Sequence, residues 1–167
     1  PLPGSLRELV GRRLGALSAL ARALVEAGCV LGREMDEDLL AEVAGIGGAE
    51  RLEGMAELLA RQVLEEPAPG RLRFGHDKLR EVAYAALAGP RRRELHHRAA
   101  ETLESRAEGR REALLAELGH HWEQAGESGK ARPFYLRAAR GAKQSSAFGE
   151  AERLYREAID RLGRTQL

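Results

Sequence analysis

The sequence has few aromatic residues, one cysteine and no long apolar segment. Phe, Trp and Tyr make up 4% of the 167 residues, and Leu and Ala outnumber Val and Ile, which favours packed helices over sheets. The single Cys29 excludes a disulfide within the chain and lies in an apolar run, as expected of a buried thiol in a reducing cytoplasm. No apolar run approaches the roughly 18 residues of a membrane span, and nothing resembles a signal peptide. We therefore expect a mainly α, cytoplasmic protein without a membrane partner.

A strong charge of either sign is also missing. The chain carries 27 Lys and Arg against 26 Asp and Glu, a formal net charge of +1. No global field therefore attracts a nucleic acid or an anionic membrane, and such binding would need a local patch. The chain begins at Pro1 without a Met and stops soon after a helical pattern ends, so we expect it to be a piece of a longer protein.

Helical periodicity dominates the first sixty residues. A first helix is followed by a second one with Ser18 as its N-cap and Gly28 or Gly32 at its end. Asp36 is the predicted N-cap of a third helix, which Gly45 ends. A fourth helix is predicted over residues 49–62, with four apolar side chains facing inward: Leu52, Met55, Leu58 and Leu59.

The period then changes from that of a helix to that of a strand. Residues 63–66 and 71–74 alternate around a Pro- and Gly-containing turn, which predicts a β-hairpin. His76 and Asp77 open the next helix, and a further helix follows Gly89 and runs to about Glu104. Helices followed by a hairpin and another helix predict a winged-helix domain with a hairpin wing, extending to about Leu87.

The character of the chain changes again near Gly109, so we expect two domains, residues 1–108 and 109–167. The spacing in the second domain resembles the tetratricopeptide pattern, in which small residues let two antiparallel helices approach while large ones fill the groove. Pro133 suggests that the second helix of this pair begins near Ala131. A weaker echo follows at Ala151, Tyr155 and Ala158. The predicted packing residues of the repeat are Leu115, Leu118, Gly119, Trp122, Ala131, Tyr135 and Ala138.

Catalytic and phosphate-binding motifs are not found in the sequence. The stretch AGESGKA, residues 125–131, has the wrong glycine spacing for a phosphate loop and is not a nucleophile elbow. The doublets His96-His97 and His120-His121 do not form HExxH, and neighbours on a helix point about 100° apart, which disfavours a shared metal. For these histidines we expect solvent exposure or packing within the repeat. We predict no catalytic residue, no metal site and no enzymatic activity for this segment.

Charge argues against binding of DNA by the predicted fourth helix, which would enter the major groove. Its glutamates, Glu50, Glu53 and Glu57, outnumber its arginines, whereas a reading helix brings Arg, Lys, Asn or Gln to the duplex. The one basic run, Arg91, Arg92 and Arg93, is the candidate partner-binding patch. A solvated face or an interdomain salt bridge is favoured there over a phosphate site.

The segments LPGSLRELVGRRLGALSALARALVEAGCVLGREMDEDLLAEVAGI, FGHDKLREVAYAAL and RRRELHHRAAETLE support a family resemblance. Together they look like the region directly after the ATPase core in bacterial signal-transduction ATPases with numerous domains, which are AAA or NB-ARC-like regulators. The resemblance implies an upstream ATPase module and further repeats in the same parent chain, with a protein or peptide ligand at the repeats. It also implies ADP or ATP as a cofactor of the parent, and none for this segment.

The same superfamily carries a Met-His-Asp motif whose histidine contacts the β-phosphate of ADP. His76 and Asp77 match its last two positions, and Gly75 stands where the motif has Met. The resemblance implies that His76 contacts the nucleotide in the parent, while Asp77 caps its helix or orients the imidazole. The residues alone leave an alternative, in which His76 caps the helix and packs under the wing. Phe74 and Tyr84 are core residues in both cases.

The sequence therefore predicts a non-catalytic regulatory and protein-interaction segment. It would couple the nucleotide state of an upstream module to a helical-repeat sensor. One alternative is a stand-alone helical-repeat adaptor that binds a partner protein or peptide. A DNA-binding winged-helix fragment ranks last.

Overall fold

The computed structural model describes residues 4–106, 113–144, 149, 152–154 and 156. The described chain is mainly helical and contains one small antiparallel sheet of three strands. It divides into two compact units, Pro1–Leu95 and His96–Leu167. The predicted echo at residues 151, 155 and 158 lies outside the described residues.

The elements follow one another in an order that is largely helical before and after the sheet. In chain order they are α1 (Gly4–Gly15), α2 (Ala19–Leu31), β1 (Glu34–Asp36), α3 (Glu37–Ala44), α4 (Gly48–Ala60), β2 (Leu64–Ala68), β3 (Arg71–Phe74), α5 (Asp77–Ala86), α6 (Gly89–Arg106), α7 (Ala113–Gln124) and α8 (Ser128–Gln144).

Local capping sets the starts of α2 and α3, as predicted. The hydroxyl of Ser18 accepts a hydrogen bond from the backbone N–H of Ala21 at 3.1 Å, and the carboxylate of Asp36 accepts one from Leu39 at the same distance. Each bond satisfies one of the backbone donors that a helix leaves open at its N-terminus. Gly45 ends α3 in the left-handed region, with φ 72°.

The sheet has one strand more than the predicted hairpin. Its order is β1-β3-β2, with both pairings antiparallel. The added strand β1 places Met35 opposite Leu72, and both side chains are buried. A strand of three residues is too short to show alternation, so its pairing with β3 could not be predicted from the local pattern.

The core of the first unit surrounds α2, which packs against α3, α4 and α5. Cys29 on this helix is 1% exposed, and burial, followed by the charge of Glu26, raises the pKa of its thiol to about 12. The largest fully buried side chains of this unit are Leu24, Leu40, Leu58, Leu64, Leu72, Phe74, Leu79 and Leu95.

The inward orientation predicted for Leu52 is wrong, because this side chain is 69% exposed. The buried side of α4 instead carries Gly54, Met55 and Leu58. A Cβ added at Gly54 would lie 2.7 Å from Cδ1 of Leu24, so the glycine permits a close approach of α4 to α2. This approach rotates Leu52 away from the core.

The predicted start of the last helix near Ala131 is also wrong, because α8 begins at Ser128 and contains Pro133. Gly126, with φ 88°, reverses the chain. The N–H groups of Lys130 and Ala131 then both donate to the carbonyl of Glu127, at 2.9 and 3.0 Å. The hydrogen bonds of the first turn therefore form before Pro133 is reached. Pro133 has no backbone N–H, so the second turn has one hydrogen-bond donor fewer.

Candidate functional site

His76 occupies the N-cap position of α5 and is exposed to solvent. Its backbone is extended, with φ −141° and ψ 137°, and its side chain makes no capping hydrogen bond. The alternative expectation, that His76 caps the helix and packs under the wing, therefore does not describe its side chain. Only its carbonyl takes part in the first turn, where it accepts from the N–H of Leu79 at 3.0 Å.

Asp77 and Arg33 form an exposed ion pair beside this imidazole. The Nε atom of Arg33 lies 3.3 Å from Oδ1 of Asp77, and the two side chains are 60% and 51% exposed. A screened pair of this kind stabilises the fold little. It places a guanidinium next to the N-terminus of α5, where the open backbone donors also favour an anion. This group of residues, Arg33, His76 and Asp77, is called the α5 seam below.

Gly75 precedes the α5 seam at a point where two backbone segments meet closely. Its N–H donates to the carbonyl of Val63 at 3.1 Å, and a Cβ at this position would lie 2.8 Å from the carbonyl oxygen of Gln62. Gln62 itself has a positive φ of 53°, which is uncommon for a residue with a side chain. Local geometry thus explains why a glycine precedes His76 and Asp77.

Phe74 and Tyr84 were both predicted to be core residues. The prediction is met in full for Phe74 and in part for Tyr84. Phe74 is buried, whereas Tyr84 is half-buried. Burial raises the pKa of the Tyr84 phenol. The guanidinium of Arg92 lies 5.6 Å from the centre of its ring, within the range of a cation–π contact.

The basic run is largely occupied by contacts within the first unit. Nε of Arg91 lies 3.0 Å from Oε2 of Glu26, and Nη1 of Arg91 lies 3.0 Å from Oε2 of Glu94. Burial opposes the positive charge of Arg91, but hydrogen bonds with Glu94 and Glu26 outweigh it and raise the pKa. Arg92 rests over an aromatic ring, and Arg93 is exposed. The run therefore resembles a packed helix start more than an open phosphate site.

The predicted packing residues of the repeat lie together in the second unit. Leu115, Trp122, Ala131, Tyr135 and Ala138 belong to one buried cluster, joined by Ala100, Ala139 and Leu154. Leu118 is buried as well. A connection of three residues joins α7 to α8, which makes the two helices an antiparallel pair.

Gly119 lies at the closest point of this pair. A Cβ added there would lie 2.9 Å from two ring carbons of Tyr135. The hydroxyl of Tyr135 donates to Oε2 of Glu123 at 3.0 Å, which fixes the ring over the glycine. The Nζ atom of Lys130 lies 4.3 Å from the centre of the Trp122 ring and covers it with a cation–π contact.

A polar cavity of about 380 Å³ opens on the second unit. Both acidic and basic side chains line it, together with the ring of Tyr135. Its lining is formed by Ala116, His120, Glu123, Gln124, Tyr135, Arg153 and Leu154.

Sequence reasoning missed a buried histidine pair in the second unit. His96 and His121 are each 1% exposed, and their Nδ1 atoms lie 2.9 Å apart. A signal was present for His96, because Ala99, Ala100 and Leu103 follow it at helical spacing and are all buried. Within the described ranges, no group of three or more His, Cys, Asp or Glu side chains could hold a metal ion.

Among the residues that the structure describes, no helix has the length and apolar character required to cross a bilayer. Comparisons with protein-family models, with curated proteins and with solved structures gave no match to this chain.

Proposed function

We propose that this chain is a non-catalytic regulatory and protein-interaction segment of a larger, cytoplasmic ATPase-based signalling protein. It would couple the nucleotide state of an upstream module to a helical-repeat sensor. The observation that carries the proposal is the exposed imidazole of His76 at the start of α5, which is not engaged in capping its helix.

The order of elements supports the winged-helix part of this proposal. From α2 to β3 the chain runs helix, strand, helix, helix, strand, strand, and its sheet order is β1-β3-β2. In a winged helix the last two strands and their turn form the wing. The α5 seam then follows the wing directly, at the position from which the superfamily motif reaches ADP.

The packing of α7 and α8 supports the repeat part. Gly119 and the Ala residues bring the helices close together, and Trp122 and Tyr135 fill the space between them. Such a pair buries its apolar face fully only when further pairs stack on it. We therefore propose further repeats in the parent chain and a protein or peptide ligand at the repeats.

Removal of the His76 imidazole is expected to weaken retention of ADP by a longer piece of the parent chain that includes the upstream module. One hydrogen bond to a charged phosphate is worth about 1.5–3 kcal/mol, so His76→Ala should raise the Kd for ADP by about 10- to 100-fold. The measurement is the ADP that remains bound after gel filtration, followed by titration of the nucleotide-free protein.

Lys78→Ala is the matched control for this experiment. Lys78 lies in the same turn of α5, and Glu81 holds its ammonium group at 2.8 Å. We expect this variant to retain ADP like the parent chain. Equal retention by His76→Ala, with unchanged helicity and melting, would contradict the nucleotide contact.

The polar cavity on the second unit favours one other candidate, a stand-alone adaptor that binds a peptide through its helical repeat. In that case nucleotide has no effect on the chain, and a pull-down recovers partners without an ATPase module. The DNA-binding alternative has less support, because the arginine of α4 and the arginine at its C-cap are both held by carboxylates. Arg51 pairs with Glu37 and Asp38, and Arg61 pairs with Glu57.

A further inference from the structure

The buried pair of His96 and His121 can accept one added proton but not two without losing the hydrogen bond between the rings. A hydrogen bond between two imidazole nitrogens requires one ring to donate and the other to accept. At an Nδ1 to Nδ1 distance of 2.9 Å, the pair fits a neutral state or a state with one added proton. With two added protons, both nitrogens become donors, the hydrogen bond is lost and two positive charges face each other.

The groups around the pair provide little compensation for a second positive charge. On α7, Glu117 lies nearest, with Oε1 3.9 Å from Nε2 of His121, and burial raises the pKa of this carboxyl group. It therefore loses its charge early as the pH falls. The ring of His120 lies 5.8 Å from that of His96 and 5.7 Å from that of His121.

Several charged or titratable side chains that the structure describes on α6, α7 and α8 have contacts of their own. On α6, Nε2 of His97 lies 3.2 Å from Oε1 of Glu101. On α8, Lys130 lies over Trp122, and the hydroxyl of Tyr135 donates to Glu123 on α7. Acidification thus adds positive charge to the pair itself while it removes the negative charge of Glu117.

We propose that the His96–His121 pair is a pH-sensitive latch that joins α6 to α7 within the second unit. At neutral pH the shared hydrogen bond holds the two helices together. In acid the second proton separates the two rings, and the pair of α7 and α8 loosens from the end of α6.

The pKa of His121 gives the sign and the range of the response. Burial, together with the charges of His96 and His120, lowers this pKa from its ordinary value of 6.5 to about 3. The unfolded chain therefore binds a proton that the folded unit excludes, and the folded unit loses stability as the pH falls below 6.5. At about pH 5 this single group reduces the folding equilibrium constant by about 30-fold.

The test is urea unfolding of the full chain at about pH 7.5 and about pH 5, followed by the fluorescence of Trp122 in the second unit. We expect the folding constant to drop by about 30-fold in the native chain and by less than about 5-fold in His121→Asn. The asparagine amide can exchange a hydrogen bond with His96 but does not titrate. His120→Gln, the control at the exposed neighbour, should keep most of the native response.

A second measurement covers the case in which His121→Asn fails to fold. NMR of the imidazole rings in the native chain should show two histidines that titrate as a pair. This pair should not bind its second added proton until the pH lies well below the ordinary pKa of histidine. Rings that all titrate near their ordinary pKa, or equal pH responses in native chain and His121→Asn, would overturn the proposal.

Discussion

Replacing Gly119 with leucine is expected to destabilise the second unit by up to about 2 kcal/mol. The first added carbon would lie 2.9 Å from the ring of Tyr135. This ring is buried and its hydroxyl is bonded to Glu123, so it has little freedom to move away. Overpacking of a core costs about 1–3 kcal/mol, and the better helix propensity of leucine returns about 1 kcal/mol.

A double-mutant cycle tests this steric explanation. Tyr135→Ala alone should cost about 3–5 kcal/mol, because it leaves a cavity. In the double variant the leucine can enter that cavity. The double variant should therefore be destabilised by at least about 1 kcal/mol less than the sum of the costs of the two single variants. The measurement is urea unfolding followed by Trp122 fluorescence.

Gly129→Leu serves as the control, because nothing lies within 4 Å of a Cβ at this position on α8. It should leave the unfolding midpoint of the second unit unchanged or raise it slightly, because leucine is a better helix former than glycine. Strictly additive effects of the Gly119 and Tyr135 substitutions would show that the glycine is not required by the ring.

Gly75→Met, which would create the sequence Met-His-Asp, is expected to destabilise the first unit by about 3 kcal/mol. The obstacle is the backbone carbonyl of Gln62, 2.8 Å from the new Cβ, which cannot rotate away as a side chain can. Relief would require breaking the bond from the Gly75 N–H to Val63 or moving a residue with positive φ. Substitutions that force the backbone to move belong to the most destabilising class.

The experiment compares urea unfolding of Gly75→Met with that of Gly11→Met, followed by far-ultraviolet circular dichroism. Gly11 lies on α1 with nothing within 4 Å of an added Cβ. The control should unfold at or slightly above the native midpoint, because methionine is a better helix former than glycine. Coincident midpoints for the two variants would mean that the chain at Gly75 has room for a side chain.

The features that local chemistry determines were predictable from the sequence. Ser18 and Asp36 were recognised as caps because their oxygens reach backbone donors three residues ahead. The hairpin of β2 and β3 followed from alternation around a turn. The strand β1 was not predictable in this way, because Met35 is placed in the sheet by Leu72, a residue distant in sequence.

Errors arose where another element decides the outcome. Helical spacing alone placed Leu52 inward, but the approach of α2 at Gly54 rotates it into solvent. For the candidate sites, the alternation of large and small residues indicated the packing of α7 with α8. It could not indicate the contact of His96 with His121, because His96 lies on α6, outside the predicted repeat.

Because Cys29 is buried, the rate at which its thiol reacts with an added reagent can report how often the first unit opens. This is the only cysteine, it lies in the first unit, and the only tryptophan lies in the second. A thiol with a pKa of about 12 and almost no exposure should react with a disulfide reagent only when its surroundings open. The rate of labelling therefore reports the opening of the first unit while indole fluorescence reports the second. The order in which the two units open can be measured without changing a single residue.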